Sequence, residues 1–441
     1  MKTIASILWL IIASIPLCAQ QSGGNPTAGE PLQLLHADSL VKATSDNTIY
    51  QFAQGHVRFR HGNVLVWCNR ANFYEDENRS QLIGNVKIVQ GTVTLTAPSA
   101  DYNGNTRIAT GTQGVKIIDR ITTLTAKSGR YSTQSSIANF YGDVRVEDDS
   151  VAIDADTIEY HRSTENSYAS GNILMEAKRN HAFIKGDSSV NFPSLNYSRV
   201  VGNAILYQMD TLAVAGKDSL NTFPKDTLKR HLDTFTIASN LMESYRGKNE
   251  RYIATGKVEM VRGELASRCD TAYFEKHEER VRLRGTPIVW YDSTQLSADS
   301  IIVYLPKQRL KKIESYSRAF SVSRDDTLHF DRANQLSGSA IFISVDADTL
   351  REVFAKGDAK SLYFLLKEQE PDGVARHSAD SIRITMENGK PEVIRWLGGV
   401  NGENFPEKMV AKKTKDFYLP AWHWETNRPK KRVFNPSRKN R

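Results

Sequence analysis

The stretch EDDSVAIDADTIE, residues 147–159, gathers Glu147, Asp148, Asp149, Asp154, Asp156 and Glu159. Paired carboxylates of this kind can cleave glycosidic bonds by acid–base catalysis, or hold a calcium ion through oxygen ligands. The surrounding pattern argues against both. Asp156 occupies a slot filled by Pro98 and Lys127 in neighbouring stretches of similar sequence, and Asp148 and Asp149 fall where a turn is predicted. The histidines (His36, His56, His61, His161, His181 and others) are scattered, and the sequence lacks H-E-x-x-H, C-x-x-C and G-x-S-x-G. GKNERYIATG lacks the Gly-Lys-Ser/Thr of a phosphate loop. The expectation is a protein with no catalytic residues, no metal ligands and no cofactor.

What positions these side chains is a repeat. Phe73, Tyr102, Tyr131 and Tyr160 lie 29 residues apart, and Cys68, Ala97, Ala126 and Ala155 precede them at the same interval. Glycines open the units at Gly55, Gly84, Gly114, Gly142 and Gly171, and the pattern resumes at Gly256 and Gly285. A fixed period of this size marks a stacked or arrayed fold. Each unit holds two short alternating runs, such as Val144/Val146 and Val151/Ile153, separated by Gly, Asn and Asp. Alternation at period two predicts strands with one buried face, and the separators are turn chemistry. The regular tyrosines are expected to pack inward or at a rim.

A second, longer repeat follows. Ile301, Ile341 and Ile382 begin strand-like runs, with Ile313, Val353 and Ile394, then Ala319, Ala359 and Val400, at matching offsets and a period of 40 to 41. ADSIIVY and ADSIRIT share the older ADTIEY pattern, so these units read as the same hairpin with a longer connection. The expected organisation is a signal peptide over 1–19, a first β array over 32–177, an insertion or hinge over 178–240, a second array over 241–404, and a C-terminal segment with a basic tail over 405–441.

The N-terminus, MKTIASILWLIIASIPLCAQQ, has a positive start, an apolar run and small residues near Ala19, as an export signal does. Leu17 before Cys18 fits lipid attachment poorly. No later run reaches the length of a membrane-spanning helix. The chain has 441 residues and a net charge of +8, and six of its basic residues lie in PKKRVFNPSRKNR at the end. The high pI therefore describes a tail, not a nucleic-acid groove; the tail is either a solvated terminus or a contact for an anionic partner or membrane. Cys68 and Cys269 share the alanine slot. At about 4.8 Å per strand they would stand roughly 30 Å apart, far beyond disulfide reach.

The unit G-x-V-x-[IV], then L-x-A-x-[ST]-x-x-[FY], seen in GNVKIVQGTVTLTAPSADY and GDVRVEDDSVAIDADTIEY, resembles the OstA/LptA family of lipopolysaccharide-transport proteins. With QLSADSIIVY and the longer C-terminal units, the whole looks like OstA-like proteins of the Bacteroidetes type. The resemblance implies an all-β, elongated, twisted β-jellyroll, V-shaped and solenoid-like, built from two-strand repeats. It implies a periplasmic component that shelters the acyl chains of lipopolysaccharide in an apolar groove and stacks on other transport proteins, or on itself, through strand edges. The alternating positions nominate Val86, Ile88, Leu95, Val115, Ile117, Leu124, Val144, Val146, Ile153 and Ile173 as its lining. Ordinary core packing is the competing reading of each. The alternative function is an exported β-solenoid that binds or processes a surface polysaccharide, which would carry an outward ladder of aromatics.

Overall fold

The computed structural model describes residues 33–434, except 214–229, 325–330 and several gaps of one or two residues. The proposed signal peptide and the last seven residues lie outside the described residues. The described chain is nearly all β, with 28 strands recorded in one antiparallel sheet. Its one α-helix, α1 (Glu407–Val410), is a single turn. The chain divides into two compact units. Among the described residues, 33–204 with 243–247 form one, and those within 205–242 and 248–434 form the other.

In the first unit, consecutive strands pair as hairpins: β3 (Thr48–His61), β4 (Val64–Tyr74), β5 (Arg79–Gln90) and β6 (Val93–Asn103). The series resumes with β11 (Ile137–Glu147), β12 (Val151–His161), β13 (Asn166–Ala177) and β14 (Ala182–Phe192). Two strands and their turns account for the short period. Each hairpin bends where the glycine sits. Two left-handed residues stand opposite one residue of the following strand, so that one residue is inserted: Gly84 and Asn85 (φ +77° and +45°) opposite Pro98, or Gly171 and Asn172 (φ +77° and +49°) opposite Asp187. Such a bulge turns the strand and resets its twist. A residue of the preceding strand lies over the glycine. A Cβ on Gly171 would fall 2.3 Å from the Asp156 carboxylate and 2.8 Å from its Cβ. Asn172 Nδ2 closes the corner by donating to Asp156 Oδ2 at 2.7 Å.

One repeat departs from this plan. Between β6 and β11 the strands are broken in half: β7 (Ile108–Thr112) with β8 (Val115–Asp119), and β9 (Thr122–Ala126) with β10 (Ser128–Ser132). β6 pairs with β8 before Ala97 and with β7 after Pro98. Pro98 stands where other corners have Asn69 or Asp156, and it has no N–H to donate.

The zone expected as an insertion or hinge contains β14, β15 (Tyr197–Ala213) and β16 (Arg230–Tyr245), so its described residues continue the strand series. In the second unit, β17 (Arg251–Arg262), β18 (Leu265–Glu275), β19 (Arg280–Arg284), β20 (Ile288–Tyr291), β21 (Thr294–Ser297), β22 (Ser300–Tyr304) and β23 (Lys312–Ser323) lead into β24 (Asn334–Asp346), β25 (Thr349–Lys367), β26 (Glu370–Glu387), β27 (Lys390–Leu397) and β28 (Asn401–Phe405). From Ile341 to Ile382 the longer period reflects longer strands, not a longer connection: β25 and β26 run 19 and 18 residues.

Cys68 and Cys269 are buried and in no disulfide. Burial pushes their thiols up to about 11 and about 12. Both are therefore protonated, shielded and poor nucleophiles. Mass mapping after iodoacetamide at pH 8 is expected to find them modified only in denatured protein.

At the glycine corners, Gly171→Ala is expected to destabilise the first unit more than Gly91→Ala. Both have positive φ, but Gly91 has nothing within 4 Å of its would-be Cβ. Left-handed strain alone costs about 1 kcal/mol, and the clash at Asp156 adds to it. Urea midpoints of the two variants check the order.

Candidate functional site: an apolar face opened at a broken repeat

All ten nominated residues lie on one face of the first unit, in two adjacent rows. Register pairs Ile88 with Leu95, Leu95 with Ile117, Ile117 with Leu124, Leu124 with Val146 and Val146 with Ile153. Beside this row runs a second, in which large and small residues alternate: Val86 against Ala97, Val115 against Ala126, Val144 against Ala155, and Ile173 against Gly186. Alternation of size lets facing side chains interdigitate. Sequence reasoning missed four members of the first row. Phe59 and Val66 extend it on one side, Met175 and Ile184 on the other. Their signal was present: Phe59 and Met175 stand four residues after Gly55 and Gly171, as Ile88 does after Gly84. The first row crosses ten strands, roughly 43 Å at 4.8 Å per strand.

Coverage along the row is uneven. Phe59, Val66, Leu124, Val146, Met175 and Ile184 are buried, as are Val86, Val115, Val144 and Ile173 in the second row. Ile88, Leu95, Ile117 and Ile153 are only half-buried. Three of these four flank the broken repeat. There the wall opens into a cavity of about 810 Å³, lined by Gly84, Val86, Ala97, Pro98, Val115 and Ala126 among others. A neighbouring cavity of about 520 Å³ shares Gly114, Thr125 and Ala126. Lys87 and Lys116 line the larger opening, and Lys127 the smaller. Lys127 pairs with Asp143 at 2.7 Å. Exposed apolar side chains gather on the same repeat: Ile118, and Ile121 at 68% exposure in the β8–β9 turn. Val86 and Val115 are the nominated residues that line the opening; the other eight do not touch it.

The tyrosine expectation needs correction. Tyr160 is buried and Tyr131 half-buried, but Tyr102 is 40% exposed. Tyr102 lies across from Ser80 and Ala109, and buried Tyr160 across from the equally small Ala138 and Ser167, so cross-strand neighbours do not set the difference. With only one of the three rings outward, the tyrosines do not form an outer ladder.

The acidic cluster separates into structural pairs. Arg145 bridges Glu147 and Asp154, at 2.9 Å each. The Arg145 hydrogen bond is the chief cause holding the Glu147 carboxyl below its ordinary range. Asp148 caps a turn by accepting from the N–H groups of Ser150 and Val151. Asp156 belongs to its glycine corner, and Glu159 meets His161 at 2.6 Å. Among the described residues, no group of three or more His, Cys, Asp or Glu is placed to hold a metal. No described helix is long and apolar enough to cross a membrane.

These features define a repeat-built antiparallel β protein with one apolar face opened at its side. Comparison with known proteins places it further. The family described as OstA-like protein matches residues 30–120, and that described as LptA/(LptD N-terminal domain) LPS transport protein matches residues 124–309. The chain belongs to the OstA/LptA family of lipopolysaccharide-transport proteins. A solved structure, LptH, the LptA homologous periplasmic component of the conserved lipopolysaccharide transport device from Pseudomonas aeruginosa, is 12% identical. The match covers 33% of this chain and 87% of that one, with a TM-score of 0.22. No curated protein matches the chain.

One buried carboxylate of the second unit gives a pH prediction. Burial acts to raise the Glu314 pKa, but hydrogen bonds from Lys312, Tyr316 and Tyr304 outweigh it and hold the group below its ordinary 4.5. A lowered folded-state pKa stabilises the fold above the unfolded value, and that contribution disappears as pH falls through the folded value. Glu314→Gln is expected to lower the urea midpoint at pH 7. The gap to wild type should narrow as pH falls below the ordinary carboxylate range and close once pH passes the lowered folded value, measured by denaturation across pH.

Proposed function

We propose that the first unit is the lipid-sheltering body of a periplasmic lipopolysaccharide-transport component. Acyl chains lie along the two apolar rows and gain access through the broken repeat. The observation that carries this reading is the half-covered run Ile88–Leu95–Ile117, three consecutive members of a row in which only Ile153 is otherwise half-buried, beside an opening of about 810 Å³. A lipid crossing water must keep its chains dry at about 0.8 kcal/mol per methylene. A closed core has no space for them, and a fully wet face gives no shelter. A face covered at both ends and open in the middle meets both requirements. Lys87 and Lys116 at the rim suit the phosphates of such a lipid. An N-terminal signal directs export in this reading.

Stacking on partner transport proteins or on a second copy fits the N-terminal edge. There β1 (Gln33–His36) and β2 (Ser39–Ser45) both pair with β3, and Leu34, Leu35, Leu40 and Val41 are exposed. Unpaired edge groups next to apolar side chains favour strand addition.

Photo-crosslinking from an unnatural residue at Ile117 or Val146 in living cells is expected to capture lipopolysaccharide; silence at every position of the two rows would reject the reading. Thr125→Trp, which fills both cavities from the wall, is expected to reduce co-purified lipopolysaccharide at least tenfold with the circular dichroism unchanged. Binding of soluble glycan without lipid would favour the polysaccharide alternative.

A further inference from the structure

The C-terminal segment, residues 406–434, is not a frayed end. It runs back across the second unit as a strap. Arg332, 6% exposed, forms a two-pronged ion pair with Glu407. Asp331 accepts from Thr414, and its carbonyl accepts from the Tyr418 hydroxyl. Gln335 accepts from Leu419 N at 2.8 Å. Gln295 is 1% exposed; its amide donates to the His423 carbonyl and accepts from Glu425 N. Arg268 pairs with Glu425, Arg324 lies over Trp424, Arg428 donates to the Asp292 and Glu264 carbonyls, and Arg432 pairs with Glu259. Removing the strap would strip two buried glutamines and a buried arginine of these partners. It is a permanent layer.

Beneath it lies apolar sheet. Ala319, Phe320, Ser321 and Val322 of β23 are all buried. Successive strand residues point to opposite faces, so this part of β23 is covered on both. Phe320, Val322, Leu362, Phe364 and Val374 pack with Val410 and Leu419 of the strap, and Phe417, Trp422 and Trp424 close over them.

The outside of the strap is cationic. Lys408, Lys412, Lys413 and Lys415 are exposed near its start, and Lys430 and Lys431 near its end. Of its three acidic residues, Glu407 and Glu425 are engaged by Arg332 and Arg268, leaving Asp416. Met409 is 53% exposed beside Lys408, and Val433 87% exposed beside Lys431 and Arg432. Exposed lysines interleaved with exposed apolar side chains match the interface of an anionic bilayer: ammonium groups meet headgroup phosphates while the apolar groups enter the boundary. An acidic protein surface would reward the charges but not Met409 and Val433.

We propose that the strap is a peripheral docking surface for an anionic phospholipid bilayer, laying the second unit against a membrane. The proposal is independent of acyl sheltering in the first unit, because vesicle binding and crosslinking to lipopolysaccharide fail separately. The test is co-sedimentation of the mature chain with vesicles of phosphatidylcholine alone or with 30% phosphatidylglycerol, at about 50 and 300 mM salt. Binding is expected on the anionic vesicles only and to weaken with salt. At about fivefold per lysine near a charged surface, serine at Lys408, Lys412, Lys413, Lys415, Lys430 and Lys431 should lower the partition coefficient at least fiftyfold. Arginine at the same six positions should retain binding. Unchanged tryptophan fluorescence from the strap shows that it stays seated. Equal binding to both vesicle types, wild-type binding by the serine variant with Arg438, Lys439 and Arg441 intact, or no binding by the wild-type chain would each overturn the proposal.

Discussion

Register at the glycine corners is the constraint on which the rest depends. A strand slipped by one residue turns its whole apolar set to the opposite face. Here that would send Val86 and Ile88 outward and bring Lys87 in. The paired left-handed residues of each corner admit one alignment with the strand before. The close approach of Asn69 to Gly84, or of Asp156 to Gly171, leaves no room for a side chain on the inserted residue. Once one corner is set, the next strand inherits its register. Two rows of apolar residues then line up over ten strands without any long-range contact having to specify them. The fold is assembled from nearest neighbours, as expected for repeat proteins.

The same local logic accounts for where the carboxylates of this cluster go. Arg145 and Asn172 each reach a carboxylate from the same or a neighbouring strand, and Lys178, just past β13, reaches Glu147 of β11. Ion pairs of this exposed kind contribute little to stability, but they discourage a slipped partner with like charges opposed. Acidic residues at corners and turns are part of how the ladder keeps its alignment.

How much of this was legible in the sequence depended on distance along the chain. The glycine spacing, the strand alternation and ten members of the apolar rows were readable, because each rests on contacts between adjacent strands; Phe59, Val66, Met175 and Ile184 belong to the same row and were missed. Asp156 could be recognised as a corner residue from Pro98 and Lys127 in the same slot. The exposure of Tyr102 was not readable: it shares its repeat position and its small cross-strand neighbours with buried Tyr160. The opening at Pro98 left only a faint trace, a spacing of 30 instead of 29 between Gly84 and Gly114. The strap was invisible: Gln295 meets His423 across 128 residues, and nothing periodic links them.

The interruption at Pro98 also changes how the sheet responds to load. In the flanking hairpins of the first unit the paired strands are tied along their length, and widening one gap would break a full ladder. At the split strands only the half-ladders on either side need adjust. The split strands therefore give the wall a compliant seam instead of a hinge, with fewer ladder bonds to break there than within the flanking hairpins.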